Sequence, residues 1–284
     1  MPDIQALIRY INQCQIKDDW KCGYTFSRDI PPAIQDTFFA MSCLKMLKAD
    51  SPDGEIVSFL SEWRNFDLND AYYAMKCLRL AGANVTFQEG MLLWVYSGDE
   101  QARPCTIPGT PLLRYFNYGM YRRHDSSIFS SSLGTVLKRI ELGADRISNS
   151  LVHATFAFLN MDRCLDIVSV YMALEILKAM KRRGYPVELS SYYIEQISAF
   201  LKRCTARKGY VANPTVSLPT LDSTYAGHKI AQYLKIPDPL GIPAFINSLQ
   251  NQNGGFRMLP SGGIPTLESC YLAMSILTDL YCEE

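Results

Sequence analysis

Apolar residues recur along most of the chain at intervals of three and four, the period of an amphipathic helix. Ile4-Gln-Ala-Leu-Ile-Arg-Tyr-Ile11, Phe245-Ile-Asn-Ser-Leu249 and the shorter Glu55–Trp63 each predict a helix with one apolar stripe. A second kind of helix opens on an acid, carries an aromatic at or near the third following position and an aliphatic residue at the eighth. It reads Asp36-Thr-Phe-Phe39-Ala-Met-Ser-Cys-Leu44, Asp70-Ala-Tyr-Tyr73-Ala-Met-Lys-Cys-Leu78, Asp222-Ser-Thr-Tyr225-Ala-Gly-His-Lys-Ile230 and Glu268-Ser-Cys-Tyr271-Leu-Ala-Met-Ser-Ile276. A weaker copy is Asp166-Ile-Val-Ser-Val-Tyr171-Met-Ala-Leu174. The acids recur 34 residues apart at Asp36 and Asp70, and 46 apart at Asp222 and Glu268, spacings that mark a repeat architecture.

The two kinds of helix alternate with a fixed grammar between them. A turn rich in Gly, Lys or Asn and an aromatic comes first: Lys21-Cys-Gly-Tyr24, Lys208-Gly-Tyr210, Asn253-Gly-Gly-Phe256. A proline-containing loop follows: Ile30-Pro-Pro-Ala33, Leu218-Pro-Thr220, Ile264-Pro-Thr266. Glycine supplies the positive φ that ends a helix, and proline sets the entry to the next. A helix pair cannot bury its apolar face alone, so such pairs stack into a solenoid or close into a ring.

The middle of the chain departs from this grammar. Val85–Tyr96 reads as an apolar helix and Ser97–Pro111 as a polar loop. Leu112–Tyr121 is dense in aromatics, Arg122-Arg123-His124-Asp125 follows, and Ser126–Ser132 is serine-rich. Helices resume near Leu133, run through Leu159, and pair with one over Leu165–Met180. Residues 1–284 are expected to form a single domain with an irregular insert around 97–132.

Charge and cysteine content narrow the classes. Lys+Arg and Asp+Glu number 28 each, which argues against a nucleic-acid binder driven by bulk charge. The nine cysteines are odd in number and scattered, several within helical patterns (Cys43, Cys77, Cys270). The amino terminus Met-Pro-Asp-Ile-Gln has no basic or apolar leader, and reduced thiols in a cytoplasmic protein are expected. No apolar run reaches 18 residues, so no membrane span is expected. The terminal Tyr-Cys-Glu-Glu is not a prenylation box.

Asn253-Gly-Gly-Phe256…Pro265-Thr-Leu-Glu-Ser-Cys-Tyr271 resembles the repeat of the prenyltransferase/squalene-cyclase superfamily, as does Lys208-Gly-Tyr210…Leu218-Pro-Thr-Leu-Asp-Ser-Thr-Tyr225. The superfamily includes protein prenyltransferase β subunits and class II terpene cyclases. The resemblance covers residues 4–80 and 190–280 well and the middle poorly. It implies an all-α fold, an α/α toroid of inner and outer helices. The acid-led helices would be the inner ones, with Asp36, Asp70, Asp222 and Glu268 ringing a cavity mouth. Phe38, Tyr72, Tyr73, Tyr225 and Tyr271 would lie a turn below. An aromatic wall suits an isoprenoid or a carbocation, and helix N-termini suit a diphosphate. The alternative is plain: acids at these positions are helix caps and the aromatics are core.

The resemblance brings three signatures to check. Class II cyclases carry an Asp-x-Asp-Asp motif whose middle acid protonates substrate. Here Asp67-Leu-Asn-Asp70 puts Asn69 in that place, and an amide cannot donate the proton, which leaves Asp67 or Asp70 as a displaced acid. Protein prenyltransferases hold zinc through Asp-x-Cys-Tyr and a later histidine. Glu268-Ser-Cys270-Tyr271 matches with Glu for Asp, but the histidine on an inner helix, His228, precedes the motif. Cys270 is therefore either a ligand or a small buried residue. The family's diphosphate-binding basic residues precede that motif, where Leu259–Leu267 has none. Arg122 and Arg123 offer the alternative cations, as a lid over a diphosphate or as a solvated loop or subunit contact. Asp18-Asp19-Trp-Lys-Cys lacks the third acid of a magnesium-binding Asp-Asp-x-x-Asp motif.

The implied activity is prenyl transfer or cyclisation on an isoprenoid diphosphate or related lipid, with zinc or magnesium as candidate cofactors. The other class is a non-catalytic toroid that binds a lipid, a protein partner or a second copy of itself.

Overall fold

A computed structural model describes residues 2–18, 21–26, 30–62, 67–88, 91–95, 103–106, 126–143, 147, 149–159 and 166–281. In chain order its elements are α1 (Ile4–Gln13), β1 (Gln15–Asp18), β2 (Lys21–Tyr24), α2 (Ile34–Met46), α3 (Asp53–Glu62), α4 (Leu68–Leu80), β3 (Asn84–Gln88), β4 (Met91–Val95) and β5 (Arg103–Thr106). Then come α5 (Ser126–Leu142), α6 (Asn149–Phe158), α7 (Ile167–Arg182), α8 (Ser191–Arg203), β6 (Thr205–Ala206), β7 (Gly209–Tyr210), α9 (Leu221–Leu234), α10 (Ile242–Leu249) and α11 (Leu267–Tyr281). No described helix is long and apolar enough to cross a membrane.

The chain divides into two compact units: Met1–Pro108 with Pro243–Glu284, and Gly109–Ile242. In the first, α2 packs between α4 and α11. It buries Ile34 and every residue from Thr37 to Leu44, so it is covered on nearly every side. By contrast α1 buries one stripe, Ala6, Leu7, Tyr10 and Ile11. In the second unit α7 packs between α5 and α9, and α8 buries only Ile197, Phe200 and Leu201. The two kinds of helix expected from the sequence are thus a buried kind and an amphipathic kind.

Polar contacts seat α1 on the last repeat. The Asp3 N–H donates to Gln250 Oε1 at 2.7 Å, Gln250 Nε2 donates to the Asp3 carbonyl at 2.9 Å, and the Tyr10 hydroxyl donates to the Pro265 carbonyl at 2.9 Å. Gly254 has φ 94°, and a Cβ there would stand 2.2 Å from the Ala6 carbonyl oxygen.

Two expectations change. The described residues of Val85–Tyr96 are strand, not helix: β3 and β4 pair antiparallel, Asn84 with Val95 through Gln88 with Met91, and β5 adds to β4. Val85-Thr-Phe87 and Leu93-Trp-Val95 are β-branched and aromatic runs with Glu89-Gly90 between them, which favours strands over a helix. The repeat turns are also more regular than expected, because two of them are short hairpins, β1–β2 and β6–β7. Gly23, Gly209 and Gly255 serve close approach rather than positive φ. A Cβ on Gly23 would lie 2.8 Å from Pro32 Cβ, one on Gly209 2.7 Å from Thr224 Oγ1, and one on Gly255 2.7 Å from Pro265 Cβ. The loop prolines Pro32 and Pro265 are therefore packing partners of their own turns.

Candidate functional site

Five described helices, α2, α4, α7, α9 and α11, share one register. Counting from Ile34, Leu68, Ile167, Leu221 and Leu267, the fifth residue is aromatic in all five: Phe38, Tyr72, Tyr171, Tyr225 and Tyr271. The seventh is Ala40, Ala74, Ala173, Gly227 or Ala273, small enough for a neighbour to press on the helix. At Gly227 the neighbour is the buried turn aromatic Tyr210, whose Cγ lies 2.3 Å from where a Cβ would stand.

The fourth position holds the turn. Thr37 Oγ1 accepts the Tyr24 N–H at 3.0 Å, Thr224 Oγ1 accepts the Tyr210 N–H at 3.2 Å, and Cys270 Sγ accepts the Phe256 N–H at 3.4 Å. Cys270 is thus the third member of a Thr, Thr, Cys set. It is 0 % exposed, and burial pushes its thiol up to about 12.

The acids do not cap their helices. Asp67 Oδ1 accepts the Asp70 N–H at 2.7 Å and caps α4. Thr220 caps α9 in a reciprocal capping box with Ser223, and Thr266 Oγ1 accepts the Ser269 N–H at 3.1 Å at the start of α11. Asp36, Asp70, Asp222 and Glu268 sit inside the first turn, where a carboxylate complements the helix dipole. Asp222 and Glu268 are exposed, while Asp36 and Asp70 are partly buried. Desolvation raises the Asp36 carboxyl, and desolvation with the charge of Asp67 raises that of Asp70. Asp166 is a true cap, accepting from the Ser169 N–H at 2.8 Å.

In the first unit the aromatics form one cluster. Phe38 lies 5.5 Å from Tyr73 and 5.6 Å from Tyr271, Phe39 stacks on Tyr271 at 5.3 Å, and Tyr72 meets Tyr73 edge-on at 5.2 Å. Burial and the charge of Glu268 raise the Tyr73 hydroxyl. The Lys76 ammonium sits over two of these rings, 4.4 Å from Tyr72 and 5.1 Å from Phe38. In the second unit Tyr171 and Tyr225 meet edge-on at 5.6 Å, and the Lys229 ammonium lies 5.5 Å from the Tyr225 ring.

A model of the prenyltransferase alpha-alpha toroid domain matches residues 2–92 and 146–283. The chain belongs to that family. No curated protein and no solved structure gives a significant match. The match confirms the α/α toroid fold class expected from the repeat.

Two of the expected zinc donors, Glu268 and Cys270, lie on α11 in the first unit, and the third, His228, lies on α9 in the second. Cys270 is buried, its Sγ accepts the Phe256 N–H, and that burial raises its thiol. His228 is 1 % exposed, and its Nδ1 stands 2.7 Å from Asp238 Oδ2. Glu268 is exposed. Among the described residues no group of three His, Cys, Asp or Glu side chains is gathered to hold a metal ion. Arg122 and Arg123 lie outside the described residues. Lys76 was missed from sequence; its signal is a lysine four residues after the helix aromatic, on the same face of an otherwise apolar helix.

Proposed function

We propose that this toroid binds an isoprenoid against its helix aromatics and catalyses prenyl transfer, with residues 1–284 acting as one domain. The observation that carries this is the cluster of Phe38, Phe39, Tyr72, Tyr73 and Tyr271 at matching levels of three packed helices, in a chain of this family. Such a surface offers apolar contact and few polar partners, which suits a branched hydrocarbon chain.

Transfer is favoured over protonation-initiated cyclisation on two grounds. Asn69 stands where the proton donor is needed, and its amide hydrogen-bonds Gln35 Oε1 at 3.2 Å. Lys76 already occupies ring faces that a carbocation would use. In transfer the bond from the prenyl carbon to the diphosphate breaks, a bond to the acceptor forms, and the acceptor loses a proton. Asp70 is assigned to take that proton: desolvation and the charge of Asp67 raise its carboxyl, which makes it a better base than an ordinary carboxylate. Asp67 and Glu268 would shape the field around it.

A second reading, a toroid that carries an isoprenoid without transforming it, is favoured by Cys270, which is held as a turn anchor. A protein partner or second copy fits either reading. The six described cysteines form no disulfide, which accords with a reducing compartment such as the cytoplasm.

Native mass spectrometry with farnesyl and geranylgeranyl diphosphate tests binding. A one-to-one adduct, weakened at least tenfold in Tyr73→Ala, supports the proposal; no adduct with either compound defeats it. Turnover of the bound diphosphate with a thiol or alcohol acceptor separates the enzyme from the carrier.

A further inference from the structure

The helix starts in the first unit are lined with acids and the next turns with a cation. Asp36, Asp67, Asp70 and Glu268 lie at the first turns of α2, α4 and α11. Lys76 is the ninth residue of α4, one turn beyond Tyr72, and its ammonium covers Tyr72 and Phe38. Three first-turn carboxylates and the cap Asp67 oppose an anion at the helix N-termini, where the helix dipole alone would welcome one.

A second observation comes from the neighbouring helix. Ser42 is the ninth residue of α2, four after Phe38 and so one turn along the same face. It is 7 % exposed, and among the described residues its hydroxyl has no hydrogen-bond partner. A buried hydroxyl left unpaired costs stability, so its retention calls for a partner that the described residues do not supply. Lys76 covers the Phe38 ring, and Ser42 follows Phe38 by one turn on the same face of α2. The same order recurs independently on α9, where Asp222, Tyr225 and Lys229 succeed one another and Lys229 covers Tyr225.

We propose that Lys76 and Ser42 hold the anionic group of an apolar-chain ligand two turns inside α4 and α2, below the aromatic layer rather than at the helix N-termini. The ammonium supplies the charge and the Ser42 hydroxyl donates a hydrogen bond to a phosphate or carboxylate oxygen. The apolar chain lies along Tyr73 and Tyr271 toward the acid-lined helix starts. This rests on the isoprenoid reading above but assigns the ligand's orientation and its specificity-determining residues.

Titration calorimetry with farnesyl diphosphate and with its uncharged counterpart farnesol tests it in the full chain. Wild type binds the diphosphate at least tenfold more tightly than the alcohol. Lys76→Met removes that preference by weakening the diphosphate at least tenfold and the alcohol less than threefold, while Lys76→Arg keeps it. Ser42→Ala, which removes a hydroxyl that no described residue bonds, weakens the diphosphate three- to tenfold. Diphosphate affinity unchanged in both Lys76→Met and Ser42→Ala overturns the proposal. So does a tenfold tightening in Asp70→Asn, which would put the anion at the helix starts. Binding of neither compound by wild type overturns the isoprenoid reading and this proposal with it. A carboxylate source is distinguished by farnesoic acid: tighter binding than the diphosphate, still lost in Lys76→Met, assigns the carboxylate.

Discussion

The backbone N–H of Phe256 donates to Cys270 Sγ at 3.4 Å, the contact that Tyr24 makes to Thr37 and Tyr210 makes to Thr224 in their own repeats. A residue that by resemblance is a metal ligand is, by geometry, a turn anchor. The thiol keeps its proton because burial in apolar surroundings disfavours the thiolate.

Cys270→Thr should therefore leave stability within about 1 kcal/mol of wild type, because threonine already fills this position twice. Cys270→Val, similar in volume but without an acceptor, orphans the buried Phe256 N–H and should cost about 1–3 kcal/mol. Urea denaturation of both variants decides it; equal stabilities would show that the sulfur contact contributes nothing.

Gly227→Ala should destabilise by about 1–3 kcal/mol, since the new methyl meets the Tyr210 ring within a packed interior. The penalty should shrink when Tyr210 is first replaced by leucine, a coupling that a double-mutant cycle reads directly. An additive pair would mean the methyl clashes elsewhere.

Asp238 accepts from the Tyr210 hydroxyl at 3.0 Å and faces His228 Nδ1 at 2.7 Å, joining the loop after α9 to two groups that are each 1 % exposed. Lys235, left-handed at φ 56°, ends α9 and turns the chain into that loop. Asp238→Ala removes the shared acceptor from both groups and should cost about 2–4 kcal/mol, with Tyr210→Phe costing less because the carboxylate still faces His228. Thermal unfolding checks the order; Tyr210→Phe as damaging as Asp238→Ala would remove His228 from the account.

Asp36 makes stability depend on pH with a definite sign. Its folded carboxyl titrates above the ordinary 3.8, chiefly through desolvation, partly offset by a backbone hydrogen bond from Phe26. The folded state thus holds the proton more tightly than the unfolded chain. That contribution is present below the ordinary value and is lost as pH rises through the raised one. Asp36→Asn should match wild type near about pH 3 and be the more stable at neutral pH. Denaturation midpoints across that range test this, and a variant less stable at neutral pH would reverse the sign.

The fold was legible because its signals are local. The helical period, the spacing of Asp36 from Asp70 and the turn phrases at Gly23, Gly209 and Gly255 all lie within short windows. The strands over Val85–Val95 were misread because a short apolar run looks alike for helix and strand until its partner is known. The candidate site was half legible: Phe38, Tyr72, Tyr73 and Tyr271 were picked out as aromatics, and they do cluster. The choice of caps was not, since Asp67 and Thr220 differ from Asp70 and Asp222 only in backbone geometry.

From its sequence alone this chain declares a repeated pair of helices, an aromatic at a constant place in one of them, and membership of a toroid family. Periodicity and turn chemistry are properties of neighbouring residues, and the sequence lists neighbours. Tertiary structure alone decided that the Cys270 sulfur faces a turn N–H, that Asp238 serves His228 and Tyr210, and that Lys76 covers Phe38 from the next helix. Those are contacts between groups that lie well apart in the chain, set by how packed helices rotate against one another.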